Sequence, residues 1–214
     1  MSPTSFTFLA ITGLSFLSLL SFAATAGASG PPQDKPKVEL ETSEGKIVLE
    51  LDPAKAPKTV ENFLKYVDDG HYDGTVFHRV ISGFMVQGGG FNTNLEEKKT
   101  RDPVVNESKG VNPQALGNAR GTIAMARTND INSATAQFFI NHADNSNLDT
   151  GYGGYTVFGK VVEGMNVVDK IAGARTTVKE LAMYPDKKSD QRIKQASKDV
   201  PVANVVIKSA KRAK

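Results

Sequence analysis

The stretch from residue 72 to residue 91, YDGTVFHRVISGFMVQGGGF, constrains the fold of this chain more than any other. Two runs rich in β-branched and aromatic residues, 75–81 and 84–87, are separated by a Ser-Gly pair. Three consecutive glycines, residues 88–90, are expected to close the second run. The pattern predicts a β-hairpin and therefore a fold built largely from β-strands.

Side-chain alternation gives this hairpin two different faces. Since neighbouring strand residues point in opposite directions, Val80 and Val86 should enter a core while Arg79, Met85 and Gln87 share the outer face. A guanidinium with five fixed donors beside apolar surface is suited to binding a carbonyl or amide group of a peptide. The hairpin alone leaves another interpretation open, an edge hairpin whose arginine lies along the surface with its head in water.

Three blocks of the sequence resemble those of a known family. Residues 77–91 (FHRVISGFMVQGGGF), 121–141 (GTIAMARTNDINSATAQFFIN) and 157–165 (VFGKVVEGM) are similar to the signatures of cyclophilin-type peptidyl-prolyl cis-trans isomerases. The similarity extends over residues 38–210, and its layout is most like that of the exported bacterial, periplasmic type. The resemblance implies a mainly β fold, a closed antiparallel eight-stranded barrel capped by two α-helices.

The activity implied by the resemblance is rotation about X-Pro bonds, which crosses a barrier of about 18–20 kcal/mol when uncatalysed. No bond is made or broken, so neither cofactor nor metal is expected. The implied partners are proline-containing peptides and unfolded or partly folded proteins. An alternative is a peptide-binding or chaperone module with incidental turnover. Arg79 favours the enzyme, because a guanidinium can stabilise a twisted amide more than a planar one.

The resemblance also implies a set of site residues, which divide into two groups. Expected to be catalytic are Arg79, Phe84, Gln87 and Phe139. Expected to bind substrate are Met85, Ala126, Arg127, Gln137, Leu148 and Tyr155. In this scheme Gln87 holds Arg79 or a substrate carbonyl, and Ala126 offers backbone hydrogen bonds to an extended peptide. The proline pocket is lined by Phe84, Met85, Phe139 and Leu148.

Three positions depart from the commonest family pattern. Arg127 replaces a small Asn and is expected to narrow the groove or add charge, and Tyr155 stands near the place of a His. Asn147 stands where many relatives carry an aromatic residue, often Trp. Relatives with that Trp typically bind cyclosporin, so the resemblance implies a poorly cyclosporin-sensitive isomerase.

Neighbours of the expected site residues are interpreted as structural. Phe138 should alternate inward from Phe139, leaving Phe139 only partly covered. His78 should lie on the face opposite Arg79 as a buried, hydrogen-bonded histidine, with proton transfer as the alternative. The other two histidines, at positions 71 and 142, show no partner pattern.

The amino terminus is unlike the remainder of the chain. Residues 6–24 are apolar with interspersed Ser and Thr, and no charge precedes Asp34. Ala-x-Ala sites follow, so a signal peptide spanning 1–28 is expected, cleaved after Ala26 or Ala28 and leaving 29–36 as a flexible start. An uncleaved anchor is the alternative, because the first residues lack Lys and Arg. The expected location is periplasmic.

Composition supports one soluble domain, residues 37–210, followed by a basic tail, 211–214. There are no cysteines, so neither a disulfide framework nor a thiol nucleophile exists. Residues 187–214 carry nine basic and two acidic residues of a chain whose net charge is +3. They lack interleaved aromatics, which favours a solvated surface over nucleic-acid or membrane binding. A monomer is expected.

Periodicity predicts the remaining elements. Strands are expected at 37–42, 46–51, 122–126, 137–141, 156–162 and 202–207, and helices from Pro57 to a Gly70 cap and at 165–172. Residues 92–117 should form a long loop with 96–99 solvated. Residues 176–199 are polar, and a helical turn at 178–183 is the only element expected there.

Overall fold

The computed structural model describes Met1, residues 35–185 and residues 189–213. The chain divides into two units, Met1–Pro32 and Gln33–Lys214. The expected signal peptide, both cleavage sites and most of the flexible start lie outside the described residues.

The described residues of the second unit form ten strands, three α-helices and one 3-10 turn. Eight of the strands close an antiparallel barrel in the order β1-β10-β3-β4-β6-β5-β7-β2, and β8 pairs with β9 outside it. The strands are β1 (Lys37–Thr42), β2 (Lys46–Leu51), β3 (Thr75–Ile81), β4 (Met85–Asn92), β5 (Thr122–Met125), β6 (Phe138–Asn141), β7 (Val157–Glu163), β8 (Thr176–Met183), β9 (Ile193–Pro201) and β10 (Val205–Arg212). The helices are α1 (Pro57–Asp68), α2 (Asn147–Thr150), the 3-10 turn Gly151–Gly153 and α3 (Met165–Ala172).

The expected fold class is confirmed, and α1 and α3 contribute directly to the core. Proline at the first turn suits the start of α1, and Gly70, with φ of 65°, follows its end. The apolar face of α1 places Phe63 against the barrel interior, where the Phe138 ring meets it edge-on at 5.8 Å. Tyr72 and Phe77 make similar edge contacts with Phe138. A third helix, the single turn α2, was not expected.

The triple glycine does not end the central hairpin, which is a correction to the sequence prediction. Strand β4 continues through all three glycines to Asn92. Gly89 has φ of 85°, and a Cβ there would come within 2.9 Å of the Tyr72 and Phe138 rings. These glycines therefore allow the backbone to pass close to the core aromatics instead of forming a turn.

The helical turn expected at 178–183 is also wrong. Residues 176–183 and 193–201 form the antiparallel pair β8–β9, called the ribbon below. Its buried residues Leu181 and Val200 pack with Val76 and Phe91 on the outside of the barrel. The remaining ribbon side chains are mostly exposed, so no alternating apolar pattern marks it in the sequence.

Several predicted boundaries shift, most of them by one residue. The final strand changes more, starting at Val205 and reaching Arg212, so that Lys211 and Arg212 belong to the barrel rather than to a tail. The segment 96–99 is not fully solvated, because Glu97 and Lys98 are only partly exposed. Burial raises the pKa of Glu97 and lowers that of Lys98.

Candidate active site

All ten residues expected to form the site line one cavity of about 330 Å³. It opens on the outer surface of the barrel, where β3, β4, β5 and β6 lie side by side. Hairpin residues contribute Arg79, Phe84, Met85 and Gln87, and the second sequence block contributes Ala126, Arg127, Gln137 and Phe139. Leu148 and Tyr155 complete the set. The structure brings these residues together, and their roles remain predictions.

One end of the cavity is apolar. Met85, Phe139 and Leu148 belong to a small cluster separate from the barrel core, and Phe84 and Tyr155 pack against it from the rim. Alternation along β6 produces the separation, since Phe138 enters the barrel and Phe139 faces the cavity. Phe139 is nevertheless only 4% exposed, which corrects the expectation that it is partly covered.

The burial of both phenylalanines changes what truncation should do. We expect Phe138→Ala to lower the free energy of unfolding by about 3–5 kcal/mol, and Phe139→Ala to cost about 2–4 kcal/mol because its cluster is smaller. Only Phe139→Ala should weaken binding of proline peptides in the folded protein. Urea unfolding and peptide titration of both variants check this, and loss of peptide affinity in folded Phe138→Ala would contradict the division of faces.

Arg79 is the exposed cation of the cavity. It lies directly across the β3–β4 ladder from Gln87. Its guanidinium makes no hydrogen bond or ion pair with any residue in the ranges 35–185 and 189–213. Gln87 does not hydrogen-bond to Arg79, one of the two alternatives expected for it, and its Nε2 donates to Gln137 Oε1 at 3.0 Å. The guanidinium N–H groups of Arg79 therefore border the cavity and have no acceptor among the described residues.

His78 is buried, as expected, at 4% exposure. A register irregularity between Phe77 and Arg79 makes it a bulge residue, and its ring packs against that of Phe91 at 4.5 Å between centroids, tilted by 53°. It also borders the cavity. Its Nδ1 has no hydrogen-bond partner among the described atoms, while the ring also interacts with the Val76 backbone and the Gln137 side chain. Burial lowers the pKa of His78 to about 4, so at neutral pH it adds no charge beside Arg79.

The buried histidines make stability depend on pH. His71, whose Nε2 lies 3.2 Å from the Gly89 carbonyl oxygen, also has a pKa lowered to about 4, by burial and then by Lys98. In the unfolded chain both rings titrate near 6.5, so protons bind the unfolded state first as pH falls. Stability should be full above about pH 6.5 and fall toward pH 4, by about 1–3 kcal/mol per histidine. Urea unfolding of the parent and His71→Asn across this range tests the slope, which the variant should reduce.

Arg127 does not extend freely into the groove. Its guanidinium lies over the Tyr155 ring at 4.3 Å and donates to the carbonyl oxygens of Tyr152 at 2.6 Å and Gly154 at 3.0 Å. Tyr155 in turn meets Phe139 edge-on at 5.8 Å. Arg127 therefore holds the rim of the apolar end in place through Tyr155 and the backbone at Tyr152 and Gly154.

A buried polar network beneath the apolar end was missed by sequence reasoning. Asn145 Nδ2 donates to the Phe84 carbonyl at 2.9 Å and to Asn141 Oδ1 at 2.7 Å. Asn141 reaches Asn118, whose N–H and amide both donate to Asp149 Oδ1. The network holds the backbone at Phe84 and the turn carrying Leu148. Asn118 lies 23 residues from Asn141, and such a distant pairing gives no local signal in the sequence.

Comparison with known proteins identifies the family. The family model described as cyclophilin type peptidyl-prolyl cis-trans isomerase/CLD matches residues 37–212, most of the chain. This chain belongs to that family. Its function is accordingly the isomerisation of peptidyl-prolyl bonds.

Curated relatives among the cyclophilin-type isomerases are similar over most of their length. Peptidyl-prolyl cis-trans isomerase cyp18 of Streptomyces antibioticus is 53% identical over 180 residues, covering 81% of this chain and 96% of that protein. Peptidyl-prolyl cis-trans isomerase A of Dickeya dadantii is 52% identical over 162 residues, covering 75% and 81%. Isomerase B of Escherichia coli K12 is 50% identical over 145 residues, covering 65% and 85%.

Solved structures show the same fold. A Cryptosporidium parvum cyclophilin type isomerase superposes with a TM-score of 0.63 at 24% identity, covering 84% of this chain and 98% of that one. A second structure of that protein, determined in the presence of the dipeptide Ala-Pro, gives a TM-score of 0.62.

The candidate site has a further wall that sequence reasoning did not find. Ribbon residues Leu181, Met183 and 195–197 complete the lining of the first cavity. A second cavity of about 560 Å³ adjoins it, bordered by Met183, Tyr184 and Pro185 together with residues of the 97–103 and 126–137 segments. Within the described residues, no group of three or more His, Asp and Glu side chains is placed to hold a metal ion.

Proposed function

We propose that the first cavity binds an X-Pro segment with the proline ring in its apolar end, against Phe84, Met85, Phe139 and Leu148. The ring then displaces water from a concave apolar surface while polar groups border only one side. Ala126 donates its own N–H to the Gln137 carbonyl at 2.9 Å, so its carbonyl oxygen is the backbone group that accepts a substrate N–H.

Arg79 supplies the catalytic interaction in this proposal. As an X-Pro amide twists, resonance is lost and its nitrogen gains lone-pair character, which a nearby guanidinium stabilises. The observation that carries the proposal is the absence of any described acceptor for Arg79 beside an apolar pocket. A capture module would not require an unpaired donor at this position. In this proposal Gln87, whose Nε2 also donates to Gln137 Oε1, binds the substrate carbonyl.

The substrates are proposed to be unfolded or partly folded proteins as well as short peptides, because the cavity lies open on the barrel surface and adjoins a second one. The chain should accelerate the slow, proline-limited refolding phase of a model protein, measured by fluorescence at catalytic concentrations. A model protein without a cis proline in its native state is the control. Unchanged rates for both would contradict this substrate class.

The basic carboxyl-terminal region is proposed to have no nucleic-acid role, and the domain to act as a monomer. Several of its cations already have protein partners. Arg212 pairs with Asp68 at 2.6 Å, and Lys194 pairs with Glu180 at 3.2 Å. Such pairing leaves less charge to neutralise phosphates, on which nucleic-acid affinity depends.

We propose a periplasmic location after removal of residues 1–26 or 1–28, without stable membrane association. Support comes from the apolar amino-terminal stretch and its small residues. Within the described ranges, no helix is long and apolar enough to cross a membrane. Amino-terminal sequencing of the expressed protein should find a mature start after Ala26 or Ala28. Bulky replacements of both alanines should slow processing, and an intact Met1 in the membrane fraction would establish an anchor instead.

A further inference from the structure

The ribbon forms one wall of both cavities. Strand β9 lines the first cavity through Gln195, Ala196 and Ser197, and strand β8 ends at Met183, which borders the second cavity together with the following Tyr184. Met183 borders both. It therefore lies where a peptide that leaves the proline pocket past Gln87 would enter the second cavity.

Met183 is held in this position by hydrogen bonds on either side of it. Ala182 accepts the Glu97 N–H at 2.8 Å and donates its own N–H to Leu95 at 2.9 Å. Tyr184 donates its N–H to Glu97 Oε2 at 2.8 Å. These bonds attach the end of β8 to the 95–97 loop, so the Met183 backbone is anchored at both neighbours.

The side chain of Tyr184 strengthens the attachment. Lys99 and Arg192 lie over its ring at 4.7 and 5.1 Å. Arg192 also donates to the Glu97 carbonyl at 3.0 Å. Lys99 and Arg192 are thus engaged by the Tyr184 ring, and Arg192 also by the 95–97 loop. Met183 is the apolar ribbon residue at the junction of the two cavities.

We propose that Met183 is a specificity-determining residue for the peptidyl-prolyl isomerase, selecting an apolar side chain flanking the proline on one side. A thioether on three rotatable bonds adapts to differently shaped apolar partners, and its half-buried position leaves surface for contact. When the proline of an extended peptide lies in the first cavity, only one end of the peptide passes the junction. The selectivity therefore concerns residues on a single side of the proline. The inference rests on the proposed peptide path through the first cavity.

Two series of proline peptides test the proposal, one varying the second residue before proline and the other the second residue after it, each with Leu or Ser. The variants are Met183→Gln, which keeps length and loses apolar character, and Met183→Leu, which keeps apolar volume. Val178→Gln is the matched control, since Val178 is exposed on the same strand and lines neither cavity. Met183→Ala replaces Met183→Gln if the latter unfolds. An Ala-Pro peptide without flanking side chains reports basal turnover.

We expect Met183→Gln to lower the Leu-over-Ser preference in kcat/KM by about fivefold in one series only, a size fitting the loss of a few buried apolar carbons. Met183→Leu should keep the preference, and Val178→Gln should keep both the preference and the turnover of the Ala-Pro peptide. Unchanged preference in both series, or equal losses on every substrate, would overturn the inference. No turnover of the Ala-Pro peptide by the unmodified chain would refute the proposed function itself.

Discussion

Arg79→Ala is expected to lower kcat/KM for X-Pro isomerisation by about 10²–10³-fold, the size typical of removing one electrostatic donor used in the transition state. The reason is the placement of Arg79, which is exposed beside the apolar end and has no described acceptor of its own. Because the donor acts mainly on the twisted amide, the loss should appear in kcat more than in peptide affinity.

Two controls separate this effect from a folding defect. Arg79 is exposed and unpaired, so urea unfolding of Arg79→Ala should match the parent to within about 0.5 kcal/mol. Arg79→Lys keeps the charge without the planar fork of donors and should recover only part of the lost rate. A folded Arg79→Ala protein with near-parental turnover would show that the cavity catalyses without its guanidinium.

Asn147→Trp is expected to increase affinity for cyclosporin by more than about thirtyfold, corresponding to about 2 kcal/mol, while isomerase turnover changes little. Asn147 is the exposed first residue of α2, and its neighbour Leu148 lines the cavity. An indole there would add a large flat surface and an N–H donor next to the proline pocket, where Asn offers little apolar area.

Titration of both proteins with the drug during isomerase assays measures this effect. Asn147→Ala is the matched control, since it removes the amide without adding an aromatic surface, and it should remain as insensitive as the parent. Tight inhibition of the unmodified chain would mean that other contacts replace the missing indole.

Short-range alternation made the central site predictable. The period of two along β6 separates Phe139 from Phe138, and that period needs only the sequence. Along β3 the bulge at His78 interrupts the period, so His78 and Arg79 border the same cavity although they were expected on opposite faces. The closed barrel and the helix α3 also follow from strong local patterns and from the family resemblance. Side-chain hydrogen-bond partners do not follow from local patterns. Gln87 and Gln137 are 50 residues apart in the sequence, and only tertiary packing brings their side chains into contact.

The ribbon and the glycine strand show where local reasoning fails. Leu181 and Val200 anchor the ribbon in the apolar cluster with Val76 and Phe91, and Met183 packs against that cluster. These few positions among many exposed ones form no readable period. Three consecutive glycines are a turn signal in isolation. Here they lie within β4 because the core aromatics leave no room for a Cβ at Gly89.

The most direct test of turnover by this site is exchange NMR of a proline peptide in the presence of a small molar fraction of the processed chain. Exchange spectra follow the cis and trans resonances at equilibrium, so they report rotation without a coupled protease. The account predicts cis–trans exchange far faster than the uncatalysed process, which takes tens to hundreds of seconds, and loss of most of that exchange with Arg79→Ala. Shifted peptide resonances with unaccelerated exchange would contradict it and identify the groove as a capture site.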